Sequence, residues 1–159
     1  MTITIANRQR MRKINRPLLK EIVAALLAEL HLDAAELGIH LVGPAEMARV
    51  NWQFLQHEGS TDVITFDHRD PAEAGGALPL HGELFVCVAD AVKQAGEFQT
   101  TWPSEVVRYI VHGVLHLLGY DDLQPAWRRR MKREENRLVR LLEARFTLAE
   151  LMSAGRILA

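Results

Sequence analysis

Cysteine is almost absent from the chain, since Cys87 is the only one among 159 residues. A lone cysteine excludes an intrachain disulfide and a zinc site built on cysteines, and it fits a reducing, cytoplasmic setting. Long hydrophobic runs are also lacking: no apolar stretch approaches the roughly 20 residues that a membrane-spanning helix needs. The N-terminal stretch MTITIANRQRMRK has no apolar core like that of a signal peptide. We therefore expect a soluble, cytoplasmic protein with no membrane partner.

The chain has no excess of charge of either sign. Its 19 basic and 20 acidic residues give a net charge of -1 and an isoelectric point near 6.7. Nothing in the overall charge therefore predicts a nucleic acid partner, and any such partner has to be met by a local patch. With 48% hydrophobic residues, the chain is long enough for one well-filled core. We expect residues 1–159 to form a single domain.

Hydrophobic periodicity divides the chain into strands and helices. Period-two and β-rich runs predict strands over residues 2–6, 37–42, 61–66 and 83–88. Apolar spacings of three and four predict helices near 16–30, 47–55, 89–98, 104–118 and 125–145, with Asn15 and Ser104 as N-caps. Residues 67–82 have a loop's composition. The expected fold class is α/β (α+β): a small mixed four-stranded sheet packed with about five helices, and a metal site at the end of a central buried helix.

The stretch VRYIVHGVLHLLGYDD, residues 107–122, carries the spacing H-x-x-x-H-x-x-G-x-x-D. Residues four apart lie on one face of a helix, so His112 and His116 can aim their imidazoles at one point. Gly119 can end the helix in a left-handed turn, and Asp122 can fold back as a third ligand. Three ligands with an open fourth position are typical of catalytic zinc. The carboxylate also admits manganese or iron(II), so we predict a metal-dependent hydrolase with one ion, Zn²⁺ first among the candidates.

Projected at 100° per residue, the helix has an apolar arc of about 140°. The residues on this arc are Val106, Val107, Ile110, Val111, Val114, Leu117 and Leu118. His112 and His116 fall opposite it, beside Gly113. A glycine inside a helix costs roughly 1 kcal/mol relative to alanine, which indicates that a ligand, a group around the metal or another backbone approaches there. It also removes the glutamate of an H-E-x-x-H protease. The alternative is an exposed histidine pair on a polar face.

The motif HGVLHLLGYDD resembles the signature of the YbeY family of metal-dependent endoribonucleases, which usually ends in GYDH. TDVITFD resembles that family's TDVLSFP strand, GELFVCV its GDIVI strand, and Asn51 with Phe54 its N-x-x-Y/F element; the resemblance covers roughly residues 36 to 143. It implies a single-strand-specific endoribonuclease in late-stage ribosome quality control and in maturation of the 3′ end of small-subunit rRNA. The implied partners are rRNA and the small ribosomal subunit, with no DNA.

The chain departs from that family's pattern at two positions. Asp122 stands where the family usually has a third metal-binding histidine, and Leu55 stands where it usually has an arginine thought to contact the RNA backbone. Leucine cannot make that charge-assisted bond to phosphate. His57 and Glu58 follow in place of a more basic loop. They are also candidates for the general base, together with Asp121, and the sequence does not choose among the three.

A basic run on the last predicted helix allows two interpretations. Its members are Arg128, Arg129, Arg130, Lys132 and Arg133, and the N-terminal set is Arg8, Arg10, Arg12 and Lys13. Both are either solvated surface or a strip that binds RNA phosphates. On the same helix we expect a buried side formed by Trp127, Met131, Leu138, Leu141 and Leu142. Asp62 and Asp67 are expected in capping or turn hydrogen bonds.

Two rival functions stay open. A non-catalytic ribosome-assembly factor with a structural metal would use the same three residues, because all of them lie within eleven residues and would pin the end of the helix. A hydrolase or oxygenase acting on small molecules is the other, since two histidines and one carboxylate can also hold iron(II).

Overall fold

A computed structural model describes residues 1–55, 62–70 and 79–152. Its strands are β1 (Thr2–Asn7), β2 (Glu36–Val42), β3 (Val63–Asp67) and β4 (His81–Cys87). Its helices are α1 (Arg16–Glu29), α2 (Pro44–Val50), α3 (Val88–Phe98), α4 (Trp102–Leu117) and α5 (Pro125–Arg145). A π-helical turn, Asn51–Leu55, extends α2, and a 3-10 helix, Leu148–Met152, follows α5. In the described part of the chain, no helix is long and apolar enough to cross a bilayer.

The four strands form one mixed sheet in the order β1-β2-β4-β3. β1, β2 and β4 run parallel, and β3 pairs antiparallel with β4. The predicted fold class, a mixed four-stranded sheet with five helices, is confirmed. Successive side chains of a strand point to opposite faces of the sheet, so each strand contributes to two separate layers.

The larger apolar cluster lies on one face of the sheet, where Leu84 of β4 and Ile39 of β2 are fully or almost fully buried with α1, α4 and α5. The opposite face carries a smaller cluster, in which Val42 and Cys87 pack against Met47 of α2. Helix α4 therefore lies in the main core, as a central buried helix was predicted to do.

Both ends of α4 follow from local sequence. The predicted cap, Ser104, is wrong: the side chain of Thr101 accepts the Ser104 N–H at 3.3 Å, and Trp102 with Pro103 forms the first turn. Proline is tolerated there because the first turn's N–H groups have no partner inside the helix. At the other end Gly119 takes a φ of 94°. The predicted left-handed stop at Gly119 is confirmed.

Two burial predictions are wrong. Leu118 is on the predicted core arc of α4 but is 36% exposed, because α4 ends at Leu117 and Leu118 is its C-cap. Trp127 was assigned to the buried side of α5 but is 47% exposed. It lies in the first turn of α5, before the helix reaches the core at Met131.

The interpretation of Gly113 also needs correction. A Cβ atom at this position would lie 2.7 Å from Cδ2 of Leu84. The nearest group to Gly113 is therefore the apolar side chain of Leu84 in β4, where a ligand, a group around a metal or another backbone was expected. The helix is apolar over more of its circumference than the 140° arc, since Tyr109 and Leu115 are buried as well.

Candidate metal centre

The three predicted ligands meet at the C-terminal end of α4. One ligand atom from each of His112, His116 and Asp122 lies within 4.8 Å of the others, and all three residues are partly buried. The two histidines come close because α4 places them one turn apart, and their Nε2 atoms are 3.0 Å from each other. The turn at Gly119 then reverses the chain and returns Asp122 to the same place. That these residues bind a metal stays a prediction.

The turn is held by two backbone hydrogen bonds. The N–H of Gly119 donates to the His116 carbonyl, and the N–H of Tyr120 donates to the Leu115 carbonyl, both at 3.0 Å. This is the paired pattern of a helix end with a left-handed residue after it. It fixes the direction of the chain between His116 and Asp122 without any ligand.

In each histidine the second ring nitrogen, Nδ1, already has a hydrogen-bond partner. Nδ1 of His112 lies 2.7 Å from Oε1 of Glu135, and Nδ1 of His116 lies 3.1 Å from the Tyr120 carbonyl oxygen. A carboxylate and a carbonyl only accept hydrogen bonds, so these partners place a proton on each Nδ1. In the neutral rings both Nε2 atoms then carry lone pairs, and these lone pairs face each other.

This arrangement suits a cation. Two lone pairs cannot hydrogen-bond to each other, whereas a metal ion accepts both. Nitrogen ligands at 2.0–2.1 Å from one tetrahedral zinc lie about 3.3–3.4 Å apart, so the observed separation of 3.0 Å has to widen by only about 0.3–0.4 Å to hold the ion. Metal-binding histidines commonly donate their other N–H to a carboxylate or carbonyl, as both do here. The residues present therefore fit one divalent ion.

Glu135 is the residue at this centre that the sequence analysis did not single out. Its side chain is 4% exposed, and it also accepts from Arg108 Nη1 at 2.7 Å and Lys132 Nζ at 2.9 Å. Burial opposes its ionisation, but the hydrogen bonds from His112, Lys132 and Arg108 outweigh burial and lower its pKa to about 2. The sequence contained a sign of this role, because Glu135 lies on the apolar face of α5. The other buried residues of that helix are Met131, Leu138, Val139 and Leu142. An acid on an apolar stripe needs a partner.

A cavity of about 200 Å³ opens beside the cluster, with His112 and Asp122 in its wall. Arg108, Arg128 and Lys132 also line it. The candidate centre therefore has cations within one cavity of the ligand atoms, although two of these three are engaged by Glu135.

Comparison with known proteins gives the family. The family model described as Endoribonuclease YbeY matches residues 1–143. The chain belongs to the YbeY endoribonuclease family. The Endoribonuclease YbeY of Chlorobium phaeovibrioides is 35% identical over 144 residues, which cover 91% of this chain and 93% of that protein. That of Salinibacter ruber is 33% identical over 128 residues, covering 79% and 82%. The family predicted from HGVLHLLGYDD is confirmed.

The solution structure of TM1509 from Thermotoga maritima has the same fold. It aligns with a TM-score of 0.65 over 98% of this chain and all of that one, at 24% sequence identity. At this identity the likeness concerns the fold alone.

The other predicted site residues in the described part of the chain have hydrogen-bond partners outside the metal centre. Asp121 lies next to the centre, but its Oδ1 accepts the Leu123 N–H at 2.9 Å. Asp67 accepts from the backbone and the guanidinium of Arg69, the turn bonding expected for it. Asp62 lines the cavity and accepts the N–H of Val63 at 2.8 Å.

The structure describes only part of the loop in which this chain departs from the YbeY pattern. His57 and Glu58 lie outside the described residues, and for Leu55 the structure describes the backbone alone. Their roles stay predictions.

Each of the two basic sets has one member in an ion pair among the described residues, Arg8 with Glu46 and Lys132 with Glu135. In the N-terminal set, Arg8 is bound to Glu46 at 2.6 Å, so its charge is already matched. Arg129 and Arg133 on α5 are exposed, and within residues 1–55, 62–70 and 79–152 neither forms an ion pair. Position favours the α5 set for phosphate contacts, because Arg128 and Lys132 of this set line the cavity beside His112 and Asp122.

Proposed function

We propose that this YbeY-family protein is a metal-dependent endoribonuclease that cuts single-stranded RNA, with His112, His116 and Asp122 holding one divalent ion. The observation that supports it most directly is the pair of Nε2 atoms 3.0 Å apart whose rings are both anchored through Nδ1. Zinc is our first choice, and Mn²⁺ or Fe²⁺ are the alternatives that the Asp122 carboxylate admits. When bound, such an ion supplies Lewis-acid chemistry: it polarises a phosphoryl oxygen and acidifies water.

The surrounding residues have separate tasks in this proposal. Glu135 and the Tyr120 carbonyl hold the imidazoles in one tautomer and one orientation. Arg128 and Lys132 line the cavity and attract the RNA backbone. Asp121 is the candidate general base nearest the centre in sequence, with Glu58 and His57 as the others.

We propose small-subunit rRNA as the substrate, with maturation of its 3′ end and late ribosome quality control as the role. Family membership supports RNA as the substrate, since the relatives are named endoribonucleases, and the rRNA role is what the resemblance of the motifs to the YbeY family implies. It makes rRNA and the small ribosomal subunit the partners and the cytoplasm the place of action. Residues 1–159 act as one domain in this proposal.

Cleavage of a single-stranded RNA by the purified protein tests the activity, with metal content measured on the same sample. We expect cleavage by the metal-loaded protein, and at least a 100-fold loss both with a chelator and in His116→Ala. Phe98→Ala is the matched control, because Phe98 is 66% exposed at the end of α3 and should cut RNA as the unchanged protein does.

Cleavage that persists in both the chelated protein and His116→Ala would indicate a contaminating nuclease and refute the mechanism. Tight RNA binding and metal retention without cleavage would instead support the assembly factor with a structural metal. The observation that favours this second candidate is the short span of the ligands around the Gly119 turn.

A further inference from the structure

A second cavity lies on the other side of the turn that returns Asp122. It measures about 220 Å³ and is lined by Gly119, Tyr120, Asp121, Trp127 and Arg130, which we call the Trp127 pocket. Pockets that enclose a drug-sized ligand measure roughly 300–1,000 Å³, so this one suits a single flat group. It is formed by the turn after α4 and the first turns of α5.

The walls of the Trp127 pocket are aromatic and cationic. Trp127 is 47% exposed, a large apolar surface that the protein leaves in water. Tyr120 packs against the main core, and the guanidinium of Arg130 lies over its ring, 5.0 Å from the centroid. Exposed aromatic rings and arginine planes are the surfaces on which unpaired bases stack.

The pocket is joined to the candidate metal centre through the backbone. The carbonyl of Tyr120 accepts from His116 Nδ1 at 3.1 Å, and Arg128 Nε donates to the Asp122 carbonyl at 3.2 Å. Asp121, the residue between Tyr120 and Asp122, also lines the pocket. A molecule bound in the pocket is therefore adjacent to the residues that hold the centre together.

The charges around the pocket favour a polyanion. Four arginines of α5, Arg128, Arg129, Arg130 and Arg133, form no ion pair with any carboxylate that the structure describes. The carboxylate of Asp121 would repel a phosphate but can accept from the amino group of a base. The combination thus indicates a base in the pocket and phosphates along α5, which is the arrangement of single-stranded nucleic acid.

We propose that the Trp127 pocket binds one unpaired base of the RNA strand, by stacking on the exposed ring of Trp127, next to the phosphate that is cut. This rests on the proposed function for the identity of the strand. It assigns to the first turns of α5 a binding role separate from the metal, because none of Trp127, Tyr120 and Arg130 belongs to the three-residue cluster.

The test measures binding without cleavage. A fluorescein-labelled oligoadenylate is titrated with the full-length protein in the presence of a chelator, at several salt concentrations. We expect Trp127→Ala to weaken binding roughly 5- to 100-fold with an unchanged salt slope, and Trp127→Phe to restore most of the affinity, because stacking needs only a ring. Arg130→Ala should lower the salt slope by about one, since it removes a cation that meets phosphate.

Two controls are needed. One distinguishes binding of a base from binding of a phosphate, and the other distinguishes an effect at the pocket from a general loss of RNA affinity. With an abasic ribose-phosphate oligomer of equal length, Trp127→Ala should bind as the unchanged protein does. Phe98→Ala and Arg140→Ala remove an exposed ring and an exposed cation far from the pocket, at the end of α3 and later in α5, and should change nothing.

The proposal is overturned if Trp127→Ala binds oligoadenylate as tightly as Phe98→Ala does, or if it weakens the abasic oligomer equally. It is also overturned if the unchanged protein binds no oligoadenylate. That result is expected if the exposed Trp127 contacts a protein partner instead of a base. Because the assay contains no metal, a protein that fails to cut RNA but shows the Trp127 dependence refutes the proposed function alone.

Discussion

Two clusters in this protein each combine two histidines with one glutamate, and they use the imidazoles differently. On the face of the sheet away from the main core, Nε2 of His40 lies 2.8 Å from Oε1 of Glu83, and Nε2 of His68 lies 2.7 Å from Oε2. Both rings turn toward one carboxylate, so the glutamate is at the middle of the cluster. The space between the rings is therefore already filled.

On α4 the glutamate is at the outside. Glu135 accepts a hydrogen bond from Nδ1 of His112, and the Tyr120 carbonyl accepts one from Nδ1 of His116. The two Nε2 atoms are then 3.0 Å apart. A count of histidines and acids does not separate the two clusters. What separates them is which ring nitrogen the protein already uses.

Burial reinforces the difference. The Glu83 side chain is 38% exposed, so its pairs are screened by water and each contributes little to stability. The Glu135 side chain is 4% exposed, and an ionised acid at such a position requires partners. Hydrogen bonds from His40 and His68 lower the pKa of Glu83. At Glu135 burial opposes ionisation, and the hydrogen bonds from His112, Lys132 and Arg108 outweigh it and lower the pKa to about 2.

The largest expected contrast comes from removing one histidine of each cluster. His112→Ala should lower zinc affinity by more than about 100-fold, since loss of a ligand costs more than the 10- to 100-fold typical of an outer partner. His40→Ala should retain zinc like the unchanged protein. Metal content after dialysis, measured by mass spectrometry, checks both. Equal loss from both variants would place the ion elsewhere.

A smaller contrast comes from the two glutamates. Glu135→Gln should lower zinc affinity about 10- to 100-fold, because the amide holds the His112 ring less firmly than the carboxylate does. Glu83→Gln is the matched control and should leave affinity unchanged. Competition with a chromogenic chelator gives the affinity, and a thermal melt shows that each variant is folded. If the two variants hold zinc equally well, Glu135 has no part in positioning His112.

Much of this architecture was predictable because it depends on the spacing of residues that are close in the sequence. The i, i+4 interval of His112 and His116 and the glycine that stops the helix depend only on α4 and its turn. Asn15 was likewise recognisable as a cap, and its side chain accepts the Leu18 N–H at 3.2 Å. These features need no knowledge of how the elements pack.

The features that sequence reasoning missed depend on packing between distant elements. Glu135 reaches His112 across 23 positions, and only the contact between α4 and α5 brings them together. The exposure of Trp127 depends on where α5 meets the core, which a helical projection does not contain. Gly113 showed that something approaches the helix closely, but not that the neighbour is Leu84.

The smallest contrast concerns the strand that lies between the two clusters. Leu84 of β4 packs on Gly113, while its neighbour Glu83 enters the cluster on the opposite face. Gly113→Ala would force a methyl to within 2.7 Å of a side chain that is 0% exposed. Overpacking costs about 1–3 kcal/mol, and the gain in helix propensity offsets roughly 1 kcal/mol of it. We expect a net loss of up to about 2 kcal/mol in the free energy of unfolding.

Gly38→Ala is the matched change on the other side of the sheet. Its Cβ would lie 3.3 Å from Cγ of Glu83, a partly exposed side chain that can shift, so the free energy of unfolding should stay within about 0.5 kcal/mol. Urea denaturation measures both variants. Adding Leu84→Val to Gly113→Ala should recover part of the loss, because the shorter side chain frees the space that the new methyl needs. A Gly113→Ala protein as stable as Gly38→Ala would mean that Leu84 can move aside and that the site is not overpacked.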